Sequence, residues 1–376
     1  TLEALDKAVG INNQVNDQSS SGQTRRRRFA PLGLIFAVVG LLLFAYFVRR
    51  AGLAEIIAGI RRLGAAFLLI LAISAMRQVV RSLAWTKCFE APYRLRFRDA
   101  FAARLMGDAL GNIIPLASIA VAEPSKAAFV RDRVPLMAGL SAIALENIFY
   151  SLSVILFVFS GTSALLLTFQ LPKPLRYASV AALVATAVVA VLGYVVIHKQ
   201  WKFISGALRF LFRHWWRRTW VEKAIPRAET LENRIYGFYA RNRGRIFPIF
   251  VLEVCFHLAG VAEIYTTLLF ISDVGRPTLL TAFILESVNR IINITFKFIP
   301  LRTGVDEAGT GMLSQVLGFT TAIGVTLAIV RKARDIFWAT IGVALIVRRG
   351  FSLKGVVDDS SQTEVADARS SPTIIR

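Results

Sequence analysis

The sequence predicts an all-α, polytopic integral membrane protein with about six full transmembrane helices and two proline-broken re-entrant hairpins, arranged as an inverted repeat. First, the 376 residues are 55% hydrophobic, and their mean hydropathy of +0.56 exceeds that of soluble domains. Second, several apolar runs reach the roughly 20 residues that cross a bilayer. Third, a shift of 185 residues superposes the polar and small residues around Pro115 on those around Pro300.

The chain begins with a polar, basic tail, residues 1–28, which is too polar to form a core and is predicted to be disordered. The apolar run 29–48 follows. A signal peptide is disfavoured, because the run is long for one and no small-residue cleavage site follows it. We therefore expect a first transmembrane helix that starts in the cytoplasm and opens the first transmembrane half, residues 29–197.

A second span is predicted at residues 63–85. Arg77 and Arg81 fall in its last turns in this prediction, so their side chains are expected to snorkel to the inner membrane surface. The basic loop 86–98 is then cytoplasmic, as the positive-inside rule requires.

The segment 97–132 is predicted to be the first re-entrant hairpin. Polar residues recur along its first arm at i, i+4 and i+8, and Pro115 ends that arm. Arms this short and this charged suit a hairpin buried in protein better than a span that faces lipid. An amphipathic helix on the cytoplasmic surface is the alternative. The candidate residues here are Arg104, Asp108, Asn112, Glu123 and Lys126.

A third span is predicted at residues 135–160, an outer loop at 161–174 and a fourth span at 177–197. Glu146 lies near the middle of the third span. Because a carboxylate at membrane depth is costly, we interpret it as functional.

The segment 198–245 is the longest polar stretch, and it mixes tryptophans with many lysines and arginines. Such a composition can bind RNA, but between two spans it favours amphipathic helices on the anionic inner leaflet. We therefore expect anionic inner-leaflet lipids as partners of this linker, and no nucleic acid.

The second transmembrane half is predicted at residues 246–350. Its first span, 246–271, carries Glu253 and His257 at i, i+4, which indicates either a proton relay or a satisfied pair near the inner interface. The second re-entrant hairpin is predicted at 278–318. Its candidate residues are Arg290, Asn293, Lys297 and Glu307, and its structural breaks are Pro300 and Gly304.

The last span is predicted at residues 320–347, with Arg331, Lys332, Arg334 and Asp335 near its middle. Splitting it there leaves a second piece of about 12 residues, too short to cross. One long helix is therefore favoured over two. The tail 351–376 is predicted to be disordered.

The two halves together match a recurrent transporter plan, with broken helices and binding groups near the midplane. Six of the charged residues, Glu123, Lys126, Glu146, Lys297, Glu307 and Arg331, are expected to line one polar cavity. Glu146 and Arg331, at equivalent positions, are expected to form a cross-repeat pair. The full set of predicted substrate-binding residues is Arg104, Asp108, Asn112, Glu123, Lys126, Glu146, Arg290, Asn293, Lys297, Glu307, Arg331 and Asp335. The alternative is that these charges only hold the halves together.

Two short motifs resemble those of the flippase domain of lysylphosphatidylglycerol synthase/flippase proteins, over roughly residues 30–350. The first motif comprises Asn112, Pro115, Ala122, Glu123 and Lys126, where the family usually has Gly at position 122 and Arg at position 126. The second comprises Pro300, Gly304 and Glu307. Glu146–Asn147 stands where the family often has Glu-Arg. The resemblance implies a stand-alone flippase-like member that moves a polar lipid between leaflets, and it does not imply lipid lysinylation.

A flippase for a polar, anionic lipid is thus the favoured function, with no enzymatic activity and no cofactor expected. A membrane-embedded enzyme or a non-catalytic partner in lipid or lipid-linked glycan biosynthesis is the alternative. Neither a metal-ligand spacing nor a phosphate-binding glycine loop occurs in the sequence. We expect a multi-pass protein of a bacterial inner membrane with both termini cytoplasmic, and the sequence leaves its oligomeric state open.

Overall fold

A computed structural model describes residues 46, 49, 53–113, 122–214, 219–297, 299 and 302–349. The predicted tails, the first span at 29–48 apart from Tyr46, and the two breaks Pro115 and Pro300 lie outside the described residues. Within those residues the secondary structure is helical, with turns and bends between twelve helices. The predicted all-α class is confirmed.

The first half contains six of these helices. They are α1 (Leu53–Leu63), α2 (Ala66–Lys87), α3 (Phe97–Ile113), α4 (Glu123–Ala128), α5 (Leu136–Thr168) and α6 (Lys173–His198). One prediction is wrong here: the third span continues as a helix through the predicted outer loop to Thr168. Gly161, where the loop was expected to begin, packs closely on Ser287. In the return arm of the first hairpin, the described residues form a helix of six residues that is followed by turns.

The remaining helices are α7 (Phe203–His214), α8 (Thr219–Arg241), α9 (Arg243–Ile271), α10 (Leu279–Thr295), α11 (Val305–Val316) and α12 (Thr321–Arg348). The last span is a single helix, as predicted. At 1.5 Å per residue its 28 residues extend about 42 Å, more than the thickness of a bilayer core. The linker forms two helices that pack together, where Ser205 donates to Glu232 over 2.6 Å.

Four helices of the described part are long and apolar enough to cross a membrane: α2, α5, α6 and α9. The charges of α12 distinguish it from these four. Helix α6 buries almost none of its surface against the rest of the chain, so its apolar faces suit contact with lipid.

The order of elements repeats: long helix, polar-striped helix, short helix, long helix. Thus α2 to α5 correspond to α9 to α12. Helix α2 packs on α9, its own equivalent, while α3 packs on α12 and α10 packs on α5. In each of the latter two contacts, the polar-striped helix of one half packs on the last helix of the other half. Such exchanged contacts are those of two units related by a two-fold axis that passes between α2 and α9.

The equivalent helices run in opposite directions. Arg77 of α2 contacts Glu263 of α9, whereas Arg81, one turn later, lies near Glu253, ten residues earlier. An antiparallel pair at the axis makes the repeat an inverted one. Both exchanged contacts are made at a glycine: Gly161 of α5 faces α10, and Gly342 of α12 faces the backbone of α3. Small residues permit this close approach of membrane helices.

Candidate functional site

A polar cavity of about 310 Å³ lies between the two repeats. Its walls come from the helices of both repeats, α2 to α5 and α9 to α12, and the C-terminal turns of both polar-striped helices face it. Eight of the twelve candidate residues line it, namely Asp108, Asn112, Glu123, Arg290, Asn293, Lys297, Arg331 and Asp335. Of the six charged residues predicted to line one cavity, Glu123, Lys297 and Arg331 do so. The prediction is wrong for Lys126, Glu146 and Glu307.

Four candidates, Arg104, Lys126, Glu146 and Glu307, stand behind the cavity wall. Glu146 is fully buried, and one of its oxygens accepts from Arg81 at 2.7 Å and from Arg104 at 2.9 Å. These two pairs join α5 to α2 and α3. The predicted pair between Glu146 and Arg331 is wrong, because Arg331 contacts Asp306 and Thr310 of its own half, at 3.0 and 2.6 Å.

Lys126 fixes the first hairpin to the helices around it. Its ammonium lies 2.8 Å from Asp108 and 2.9 Å from Glu123. The second oxygen of Glu123 accepts from the Asn147 amide at 2.9 Å. The motif residues Glu123 and Lys126 thus hold α3, α4 and α5 together at one corner of the cavity.

Glu307 fixes the second hairpin in the corresponding way. Its carboxylate accepts from the backbone amide of Gly304 at 2.7 Å, which closes the first turn of α11, and it pairs with Lys332. Gly304 has φ +84, which a residue without Cβ adopts most readily. The shift of 185 residues maps Asn147 onto Lys332, so each half ties the motif glutamate of its hairpin to the same position of its last helix.

Two arginines that line the cavity were placed wrongly by the sequence. Arg77 and Arg81 do not extend to the membrane surface, because both guanidinium groups pair with carboxylates inside the bundle. Arg77 is buried, and the side chain of Arg81 is 14% exposed. Arg77 donates to Glu263 at 2.8 Å and to Glu286 at 3.3 Å. With Ser74 and Gln78 they occupy one helical face, and this i, i+3, i+4, i+7 spacing was the signal that could have found them.

Glu253 and His257 do not form the expected pair. His257 lies with its Nε2 3.0 Å from the Ser153 hydroxyl. Glu253 lies 3.7 Å from Arg81, and neither of its oxygens accepts a hydrogen bond from the described residues. Both side chains are buried in the bundle.

The charges around the cavity are unequal. Seven cations line it: Arg77, Arg81, Arg290, Lys297, Arg302, Arg331 and Arg334. Four acids line it: Asp108, Glu123, Asp306 and Asp335. Each of these acids is paired with a cation. The buried Glu146, Glu263 and Glu286 pair with arginines of the wall from behind.

Lys297 is the cation left over. It is exposed to the cavity, and it has no ion-pair partner among the residues that the structure describes. Nearby, the Arg290 Nε and the Arg331 Nε and Nη1 are buried donors without an acceptor in the described chain. Unused donors of this kind suit an anionic, oxygen-rich group such as a phosphate. The described residues include no cluster of three metal-binding side chains.

In a comparison with protein families, the family model described as the lysylphosphatidylglycerol synthase TM region matches residues 32–343. This range contains every candidate residue and all of both repeats except the last residues of α12. No curated protein and no solved structure matches the chain.

Proposed function

Because the chain belongs to the lysylphosphatidylglycerol synthase transmembrane-region family, we propose that it carries a polar, anionic lipid from one membrane leaflet to the other by alternating access. The head group enters the cavity between the repeats while the acyl chains stay in the bilayer. The lipid leaves chemically unchanged, so the protein is a carrier and not an enzyme.

The observation that carries this proposal is the uncompensated cation in a cavity built by both repeats. Lys297 stands there beside buried arginine donors that lack acceptors. A charge without a counter-ion is costly at membrane depth. The phosphate of a lipid head group would supply the missing negative charge. The lipid would be able to leave again, because most charged residues of the cavity wall already have partners within the protein.

Alternating access follows from the two-fold arrangement. The repeats meet along α2 and α9, while each polar-striped helix packs on the last helix of the opposite half. Rocking one half against the other about the α2–α9 contact would open the cavity to each leaflet in turn, as in other inverted-repeat transporters. The basic linker and both termini face the cytoplasm in this proposal, in a bacterial inner membrane.

The test is a leaflet assay on purified protein in liposomes. A phospholipid with a labelled head group is placed in one leaflet, its appearance in the other is timed, and the lipids are then analysed by mass spectrometry. Movement without a new lipid species supports the carrier. A new lipid product would instead support the alternative, an enzyme of lipid or lipid-linked glycan biosynthesis. If folded protein gives neither lipid movement nor a new lipid product, the remaining alternative is a non-catalytic partner in biosynthesis.

A further inference from the structure

A second groove, separate from the central cavity, lies where membrane-spanning and linker helices meet. It is an open groove of about 650 Å³, and it shares no lining residue with the cavity. It forms where α6 and α8 end and α9 begins. The wall residues that matter here are Tyr236, Tyr239, Arg243, Phe247 and Phe250.

The position of the groove is that of a membrane–water boundary. Phe247 and Phe250 belong to the first turns of the apolar helix α9, and Phe247 leaves 73% of its surface exposed. Trp201 follows α6 and is 55% exposed. Exposed aromatic side chains at the ends of spans mark the head-group level of a bilayer. Phe247 and Phe250 there offer an apolar surface along which an acyl chain can lie.

Of the three arginines around the start of α9, Arg241, Arg243 and Arg245, it is Arg243 that gives the groove its charge. Arg241 is paired with Glu90 at 3.1 Å, and Arg245 donates to the Phe89 carbonyl at 2.8 Å. Arg243 lines the groove, is exposed, and has no carboxylate partner in the described part of the chain. A free guanidinium presents a planar fork that fits phosphate oxygens.

We propose that this groove binds one anionic phospholipid of the leaflet that it faces, with the phosphate on Arg243 and an acyl chain along Phe247 and Phe250. The lipid fastens the linker helix α8 to the start of α9. This site does not depend on the proposed transport function, because it lies outside the cavity and its occupancy is measured without transport.

Native mass spectrometry of the purified full chain tests the site, since it resolves each added lipid and gives its Kd. Phosphatidylglycerol is the anionic probe and phosphatidylcholine the zwitterionic one. Arg243→Gln is expected to weaken phosphatidylglycerol binding about fivefold, the effect of one basic residue near an anionic lipid. It should weaken phosphatidylcholine binding less, because the choline cation already compensates the charge of that phosphate. Arg276→Gln is the matched control: it removes an equally exposed arginine from the loop after α9 and should change neither lipid.

Two further variants separate the possible causes. The fivefold loss should persist in a Lys297→Gln background, which weakens the central cavity but not the groove. Phe247→Ala should weaken both lipids, because it removes part of the acyl-chain contact. Unchanged phosphatidylglycerol binding by Arg243→Gln, or equal losses by Arg276→Gln, would overturn the proposal. Displacement of the lipid by glycerol 3-phosphate would overturn it too, since that result would indicate a site for a soluble phosphate ester.

Discussion

Replacing Glu146 by glutamine tests whether this carboxylate is a structural centre, as its position behind the cavity wall indicates. In the folded protein it compensates two buried guanidinium groups, those of Arg81 and Arg104. After the change, Arg81 still has Glu253 at 3.7 Å. Arg104, which is 0% exposed, keeps only the carbonyl oxygen of Arg81, at 3.2 Å.

One buried charge is therefore left uncompensated. Removing one partner of a buried pair costs about 3–5 kcal/mol. We expect a loss near the lower limit, about 3 kcal/mol, because the glutamine oxygen still accepts hydrogen bonds. Unfolding of purified protein in mixed micelles by titration with sodium dodecyl sulfate measures the free energy of unfolding.

The matched control is Glu90→Gln, which removes a carboxylate from the partly exposed pair with Arg241. It should cost less than about 1 kcal/mol. The double variant Glu146→Gln with Arg104→Gln should be more stable than Glu146→Gln alone, because no buried charge is then unpaired. Equal losses for Glu90→Gln and Glu146→Gln, or no recovery in the double variant, would refute the reasoning.

The other predictions concern the cavity, the topology and the packing. Lys297→Gln should slow lipid movement about tenfold without unfolding the protein, as expected for one lost charge-assisted hydrogen bond, whereas Lys297→Arg should retain most of the rate. Equal rates for both variants would contradict the role of Lys297 as the cation that binds the head group. In a background without native cysteines, Ala207→Cys should stay unlabelled by an impermeant thiol reagent added outside intact cells, and Val274→Cys should be labelled; the reverse pattern would invert the topology. Gly342→Ala should lower the free energy of unfolding by about 1–3 kcal/mol, because its new Cβ would meet the backbone of α3. Gly193→Ala should not lower it, because a Cβ there meets nothing within 4 Å. Similar values for both variants would contradict the close packing of α12 on α3.

The repeat was predictable because it rests on the order of residue types along the chain. A polar stripe, a break, a glutamate and a long helix occur in both halves, and the structure places them as α3 to α5 and α10 to α12. The continuity of α12 was predictable from length alone. Its charges are tolerated because they meet other charges: Arg334 pairs with Glu263 and with Asp335.

The Glu146–Arg331 pair shows what a sequence repeat does not determine. A two-fold axis brings equivalent residues together only where they lie on the axis. That axis passes between α2 and α9, so Glu146 of α5 and Arg331 of α12 lie away from it, and each contacts its own half. Equivalence in sequence therefore predicted a matching role but not a contact.

Arg77 and Arg81 show the other limit. Both side chains stay inside the bundle because carboxylates there pair with them. The partners of Arg77 are Glu263 and Glu286 of the second half, 186 and 209 residues away. Arg81 pairs with Glu146 of its own half and lies 3.7 Å from Glu253 of the second half. No local pattern specifies such pairs, although the helical spacing of the polar residues on α2 does indicate which face meets them.

Blocking the cavity tests most directly whether lipid passes between the two repeats. Asn293→Cys places a thiol on the cavity wall, and Thr340→Cys places one on an exposed part of α12 outside it. Both proteins, without native cysteines, are modified by a bulky thiol reagent in liposomes, and the leaflet assay is repeated before and after reduction. We predict that modification stops lipid movement by Asn293→Cys, that reduction restores it, and that Thr340→Cys is unaffected. Undiminished movement by fully modified Asn293→Cys would contradict a pathway through this cavity.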